Sequence, residues 1–191
     1  MTCIVGLVHN GVTYIGGDSL GSNGYSKTVR KDKKVFKLKG TKETALGYTT
    51  SFRMGQLLMY GKDLVNERQT VNHEYLVTEF IPAIQKLFED GGYGTTNSGE
   101  KSAGCFLLGH KDKLYKIEPD YQVGESFLSY DTCGCGESHA LGSLHSTEGL
   151  GLTPEERIRK ALQAASEFSV GVAPPFYIIN TYDNHVTEYK D

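Results

Sequence analysis

No stretch of the sequence approaches the 18 or so consecutive apolar residues that a membrane-spanning helix needs, so no membrane span is expected. Equally absent is a basic start followed by an apolar segment and a small-residue cleavage site, so no secretory signal is expected either. Cysteine is scarce. Cys3, Cys105, Cys133 and Cys135 are too few for a disulfide framework in 191 residues, and without an export signal they point to a reducing, cytoplasmic setting. Cys133-Gly134-Cys135 lacks two further ligands at zinc spacing, and the six histidines form no HxxxH pair, so no metal is expected. One-sided charge is missing as well. The formal net charge is −3 and the pI about 6.1, which argues against a broad footprint for nucleic acid. The longest basic run, Arg30-Lys31-Asp32-Lys33-Lys34, is broken by an acid and is too short for a binding arm.

What is present is the composition of a globular protein, 38% hydrophobic and 23% charged, at a length that fits one domain over residues 1–191 with a sizeable core. The 23 glycines exceed ordinary usage of roughly 7%. They cluster at the ends of apolar runs, which implies many tight turns.

Residues 2–8 are continuously apolar, His9-Asn10-Gly11 offers an Asn-Gly turn, and Val12–Gly16 is apolar again: a hairpin signal. A strand beginning at residue 2 ties the start of the chain into the core, where termini ordinarily fray. Gly16-Gly17-Asp18 reads as a turn and residues 19–28 as a loop. Residues 34–38 and 44–48 read as strands. Helical spacing follows over 51–66 and 74–89, with Pro82 placed to kink the second helix. Residues 90–102 read as a polar, glycine-rich loop, and 103–109, 113–118 and 125–133 as strands. A short helix is expected over 137–146. Thr153-Pro154-Glu155-Glu156 is a capping box that opens a helix to about Val170. Residues 176–181 and 186–190 close the chain as a hairpin across Asp183-Asn184. Segregated runs of strands and helices point to α+β rather than βαβ units.

The early strand draws attention to Thr2. A threonine that is truly N-terminal can act with its hydroxyl as nucleophile and its own α-amine as base. The pKa of such an amine, roughly 7.7–8.0, leaves a useful neutral fraction near neutrality. Thr2 becomes terminal on ordinary removal of Met1. Its hydroxyl would need a nearby ammonium, and an acid to orient that ammonium. Lys34 and Asp18 are the candidates, because the hairpin and the next strand bring all three to one sheet edge. Each has a plain alternative: Asp18 as a turn residue, Lys34 as a solvated lysine, Thr2 as an ordinary second residue.

Taken together, Thr2-x-Ile-Val, Gly17-Asp18 and Lys33-Lys34-Val35 resemble the proteasome β subunits, and above all the HslV-type peptidases. The spacing agrees, with 16 residues from Thr2 to Asp18 and 16 more to Lys34. Gly47–Ser51 ahead of a helix, Gly134-Cys135-Gly136 after a strand, and Glu167-Phe168-Ser169 late in a helix also follow the family's order. The resemblance implies a four-layer αββα sandwich of two antiparallel sheets flanked by helices. It implies a threonine-type peptidase in which Thr2 attacks a peptide carbonyl, Lys34 tunes it and Asp18 pairs with Lys34. Backbone N–H groups of Thr49, Thr50 and Ser51 would form the oxyanion hole, and Cys135, Glu167 and Ser169 would support the amine. No cofactor is required, with a structural monovalent cation possible near Ser169–Val172. The partners it implies are peptide or unfolded-protein substrates, a homo-oligomeric ring and an ATP-dependent unfoldase. Three features depart from the family's pattern. The oxyanion turn is Tyr48-Thr49-Thr50-Ser51-Phe52 where small residues are usual. Cys135 replaces a serine, and a thiol is the weaker hydrogen-bonding group. Glu167 stands for an aspartate, or Ser166 does if counted back from Ser169.

Two other functions fit the same fold. One is a non-catalytic scaffold or assembly subunit, which would need neither Thr2 nor a trimmed Met1. The other is a related amidase acting on small acyl amides, in which Cys3 could even replace Thr2 as nucleophile if Met1 and Thr2 were both removed. Strand alternation places Cys3 opposite Thr2, as a small buried residue.

Overall fold

Strand β1 (Cys3–His9) and strand β2 (Val12–Gly17) are joined by Asn10 and Gly11, with φ of 48° and 79°. Positive φ at both central residues is the turn geometry whose twist matches a hairpin. This computed structural model describes residues 1–62, 64–66, 69–97 and 99–191. The hairpin is followed by β3 (Leu20–Ser22), β4 (Lys27–Val29), β5 (Val35–Lys37), β6 (Thr44–Tyr48) and helix α1 (Phe52–Tyr60). Helical turn α2 (His73–Tyr75) leads through a π-helical stretch, Leu76–Phe80, into α3 (Ile81–Asp90). Strands β7 (Thr95–Asn97), β8 (Glu100–Ser102), β9 (Phe106–His110), β10 (Lys113–Ile117), β11 (Val123–Glu125) and β12 (Tyr130–Gly134) come next. Helices α4 (Glu137–Ser146) and α5 (Pro154–Phe168) and the hairpin of β13 (Phe176–Asn180) and β14 (Val186–Tyr189) complete the order.

Two five-stranded antiparallel sheets result, in the orders β12-β1-β2-β13-β14 and β11-β10-β9-β6-β5. Alternation along β1 sorts its side chains. Cys3, Val5 and Leu7 pack with Ile158, Ala161, Leu162 and Ala165 of α5. Ile4 faces the other way and shares a cluster with Val35, Ala45, Leu107 and Leu114 of the second sheet. On the far face of that sheet, Leu46, Tyr48, Phe106 and Leu108 pack with Leu58, Phe80, Ile84 and Phe88. Each valine, leucine, isoleucine or phenylalanine so buried contributes about 1.5–3 kcal/mol. Thr2 shares the parity of Ile4, which sets it at the end of the gap between the sheets. No described helix is long and apolar enough to cross a membrane.

Several expected elements take a different form. The helix expected over 51–66 ends at Tyr60, where Gly61 leaves helical geometry at ψ 144°. Of the remainder, Asp63 lies outside the described residues. At Pro82 the expected kink takes the form of a local change of helix type. It lies inside one continuous helical run from His73 to Asp90, and the turn before it is π-helical, with Ile81 N–H bonded to Leu76 O. The loops read over 19–28 and 90–102 contain the hairpins β3–β4 and β7–β8. The strand expected over 125–133 is two strands, β11 in one sheet and β12 in the other, because the chain crosses between sheets through Ser126–Ser129. The capping box does form, with Thr153 and Glu156 bonding reciprocally and Pro154 in the first turn of α5.

Candidate active site

The hairpin register places the first two members of the site. Ile4 pairs with Gly17, so one step further Cys3 lies beside Asp18. The Cys3 amide donates to Asp18 Oδ1 at 3.0 Å, and the Asp18 amide to Cys3 O at 3.4 Å. Lys34 precedes β5, and its carbonyl accepts from the Tyr48 amide at 3.1 Å, which fixes its backbone against the second sheet. The three side chains meet in the interior, Thr2 being 4%, Asp18 0% and Lys34 1% exposed.

Lys34 Nζ donates to Thr2 Oγ1 at 2.9 Å, to Asp18 Oδ1 at 2.9 Å and to Leu20 O at 2.7 Å, which uses all three protons of an ammonium. Asp18 is equally saturated. Besides Lys34 and Cys3 on Oδ1, its Oδ2 accepts from the Leu20 amide at 2.9 Å and the Ala173 amide at 3.4 Å. Burial pushes the Lys34 ammonium below its ordinary range, and the Asp18 carboxylate opposes that shift. A buried pair with every lone pair and proton engaged is the arrangement in which attraction offsets desolvation.

Behind Thr2, Cys135 holds the backbone. The Thr2 amide donates to Cys135 Sγ at 3.2 Å, the thiol reaches Thr2 O at 3.4 Å, and the Gly136 amide reaches the same oxygen at 3.4 Å. Ser169 Oγ donates to Cys135 Sγ at 3.5 Å and accepts from the Gly171 amide at 3.3 Å. Gly134 makes this approach possible. Its φ is 102°, and a Cβ there would lie 2.3 Å from Thr2 O. The Met1 carbonyl accepts from the Thr2 hydroxyl.

Glu167 does not join the cluster. The buried face of α5 runs through Ile158, Ala161, Leu162 and Ala165, and Glu167 falls on the opposite, exposed side of the last turn. Ser166, the alternative register, donates to Val172 O at 3.4 Å. Of the expected oxyanion donors, the Thr49 amide is engaged by Cys105 O at 3.1 Å and the Ser51 amide by Thr49 O at 2.7 Å. The Thr50 amide is left without a partner among the described residues. Thr50 has a φ of 65°, an uncommon conformation for a β-branched residue. Cys3 is fully buried, and burial followed by the Asp18 carboxylate raises its thiol pKa, which makes it a poor nucleophile.

A cavity of about 70 Å³ adjoins the cluster, lined by Thr2, Lys34, Thr50 and Phe52 among others. Larger cavities, of about 500 and 260 Å³, are lined by other residues, including Lys113 and Thr96, and do not include Thr2. Among the described residues, no group of three or more His, Cys, Asp or Glu is arranged to hold a metal. Sequence reasoning missed Leu20 O and the Ala173 amide as partners. Both are main-chain groups, for which a sequence carries no signal.

No known family profile and no curated protein sequence matches the chain. Solved structures do. BPH of Thiobacillus denitrificans in complex with epoxomicin is 18% identical, with a TM-score of 0.77 over 96% of this chain and 100% of that one. HslV from Trypanosoma brucei is 15% identical, with a TM-score of 0.68 over 96% and 100%. Anbu, an ancestral beta-subunit, from Yersinia bercovieri is 10% identical, with a TM-score of 0.72 over 100% and 88%. At these identities the fold is what is shared. The resemblance to HslV-type proteins read from the sequence therefore holds at the level of the fold.

Proposed function

We propose that the protein is a threonine-type peptidase whose nucleophile is Thr2 after loss of Met1. The observation that carries this reading is the buried Lys34 ammonium, 2.9 Å from both the Thr2 hydroxyl and the Asp18 carboxylate. The α-amine freed by removal of Met1 takes the hydroxyl proton as Oγ1 attacks a peptide carbonyl. Lys34 stabilises the developing alkoxide, and the Thr50 amide is the donor available to the oxyanion. A preorganised donor of this kind is worth ~10²–10³ in rate. Collapse of the intermediate passes the proton to the leaving amine and leaves an ester on Thr2. Water activated by the same α-amine hydrolyses the ester. Because the base must be neutral, kcat/KM rises with pH through roughly 8, the ordinary range of an α-amine.

A wider reading is supported by the resemblance in sequence and by the shared fold. It comprises a single four-layer αββα domain and self-association into a ring that encloses the sites. It adds a cytoplasmic location, and unfolded chains as substrates delivered by an ATP-dependent partner. Light scattering of the purified protein tests the ring, and a stable monomer contradicts it.

Intact-mass measurement tests the chemistry, with loss of Met1 expected. Incubation with epoxomicin, the compound carried by the BPH structure, is expected to add one inhibitor mass to the wild-type protein and none to Thr2→Ala. Hydrolysis of fluorogenic peptides is expected to fall ~10³-fold or more in Thr2→Ala. Undiminished hydrolysis in that variant rules the mechanism out. The unengaged Glu167 favours, as a second reading, a non-catalytic subunit of the same fold. Retention of Met1 together with no adduct selects it.

A further inference from the structure

Two threonine side chains and the main chain of Cys105 form a closed ring of hydrogen bonds beside the site. The Thr49 hydroxyl donates to Cys105 O at 2.8 Å. The Thr49 and Thr50 hydroxyl oxygens lie 3.0 Å apart. The Cys105 amide donates to Thr50 Oγ1 at 3.4 Å. The direction of the middle bond follows from its neighbours. A hydroxyl has one proton, and Thr49 gives its proton to a carbonyl, which can only accept. Thr50 is therefore the donor between the two hydroxyls, and its oxygen is free to accept from the Cys105 amide. Protons run one way round the ring, and hydrogen bonds chained in this way strengthen one another.

The ring extends the second sheet into the turn. In the β6–β9 ladder Tyr48 pairs with Phe106, and one step further the Thr49 amide donates to Cys105 O at 3.1 Å. Beyond Thr49 the ladder stops, and Thr50 turns away with a φ of 65°. Glycine enters that left-handed region freely, whereas a β-branched residue rarely does. Gly104 leaves the space that the Thr50 side chain takes up. A Cβ there would lie 2.7 Å from Thr50 Cβ and 2.8 Å from its Oγ1. None of these contacts involves Met1.

We propose that the Thr49 and Thr50 hydroxyls are the positioning device of the oxyanion site: closed on Cys105, they pin Thr50 in its left-handed conformation and so hold its amide in place for the oxyanion. This deepens the peptidase reading above and rests on it. Thr49 acts only through Thr50, which makes it a positioning residue. A glycine at 50 permits the conformation, whereas the ring imposes it.

The test uses the purified full-length protein and a fluorogenic peptide. Thr49→Val keeps the side-chain shape and removes the hydroxyl. Its kcat is expected to fall ~10–100-fold, part of the ~10²–10³ that loss of a whole oxyanion donor costs. KM is expected to change by less than ~3-fold, because the interaction is made only in the transition state. Thr49→Ser, which keeps donor and acceptor, is expected to restore kcat to within ~3-fold of wild type. Adding Thr50→Gly to Thr49→Val is expected to recover at least ~5-fold of the lost kcat, because glycine takes the conformation without the ring. Unchanged kcat in folded Thr49→Val, a loss confined to KM, or no recovery in Thr49→Ser or in the double variant overturns the proposal and leaves the peptidase reading standing. If Thr49→Val does not fold, the exposed position 50 decides: kcat at least ~5-fold higher in Thr50→Gly than in Thr50→Val is expected, and equal rates overturn the proposal. No hydrolysis by the wild-type protein together with no epoxomicin adduct overturns the peptidase reading, and this proposal with it.

Discussion

On the hydroxyl side of Thr2, Lys34 and Asp18 are buried and commit every proton and lone pair to a partner within 3.4 Å. On the amine side, Cys135 is exposed and its sulfur is bonded at 3.2 to 3.5 Å to Thr2 and Ser169, while Glu167 stays in solvent. The contrast separates two requirements of an N-terminal nucleophile. Positioning the hydroxyl is a matter of buried, saturated electrostatics that strand register enforces. Positioning the amine is left to a soft, solvated contact, so the amine side can vary without disturbing the fold.

The largest effect that would break this comparison is expected on the buried side. Asp18→Asn leaves the Lys34 ammonium without a counter-charge, at a cost of about 3–5 kcal/mol, a large share of ordinary domain stability. Urea denaturation checks it, and a loss below 1 kcal/mol would mean that the pair is not a structural element. Gly134→Ala comes next. Its backbone conformation alone costs roughly 1–3 kcal/mol, and the new methyl meets Thr2 O. Thermal denaturation reads the loss, and a well-folded variant is expected to lose activity beyond what stability explains, because the Thr2 backbone has moved. Smaller again is Cys135→Ser. A hydroxyl is the better partner for the amine, so kcat/KM is expected to rise ~2–10-fold, the equivalent of about 0.5–1.5 kcal/mol. A fall would show that the thiol is matched to the site. Least of all is Glu167→Gln, for which activity and pH profile are expected to stay within about 2-fold, as for a surface change. A larger change would place Glu167 in the site after all.

How much of this could be read in advance depends on where the information is local. Asn10-Gly11 announces the hairpin, the hairpin aligns Cys3 with Asp18, and the apolar strand after Lys34 brings the lysine alongside. Each step is a short-range rule, and together they compose the buried trio. The small hairpins β3–β4 and β7–β8 were illegible because their residues are mostly polar and exposed, so no alternating pattern marks them. The crossing of residues 125–133 from one sheet to the other depends on long-range pairing that periodicity does not encode. A family position suggests Glu167 for the site, whereas the face of α5 that it occupies is set by Ile158, Leu162 and Ala165. The commitment of the Thr49 and Ser51 amides to carbonyls, which leaves Thr50, follows from a turn whose main-chain bonds no side chain announces.

The Asn10-Gly11 turn acts as a gauge block. Seven residues of β1 at about 3.4 Å each separate it from the site, roughly 24 Å of strand. Because side chains alternate with a period of two, one residue added to the turn would shift the pairing by one and deliver the wrong face of β2 to the terminus. Asp18 would then be out of reach of Cys3, with no atom of the site replaced. In a chain of this design, the length of a distant, exposed turn is as strict a specification as the identity of the nucleophile, and a length series at that turn would measure the tolerance.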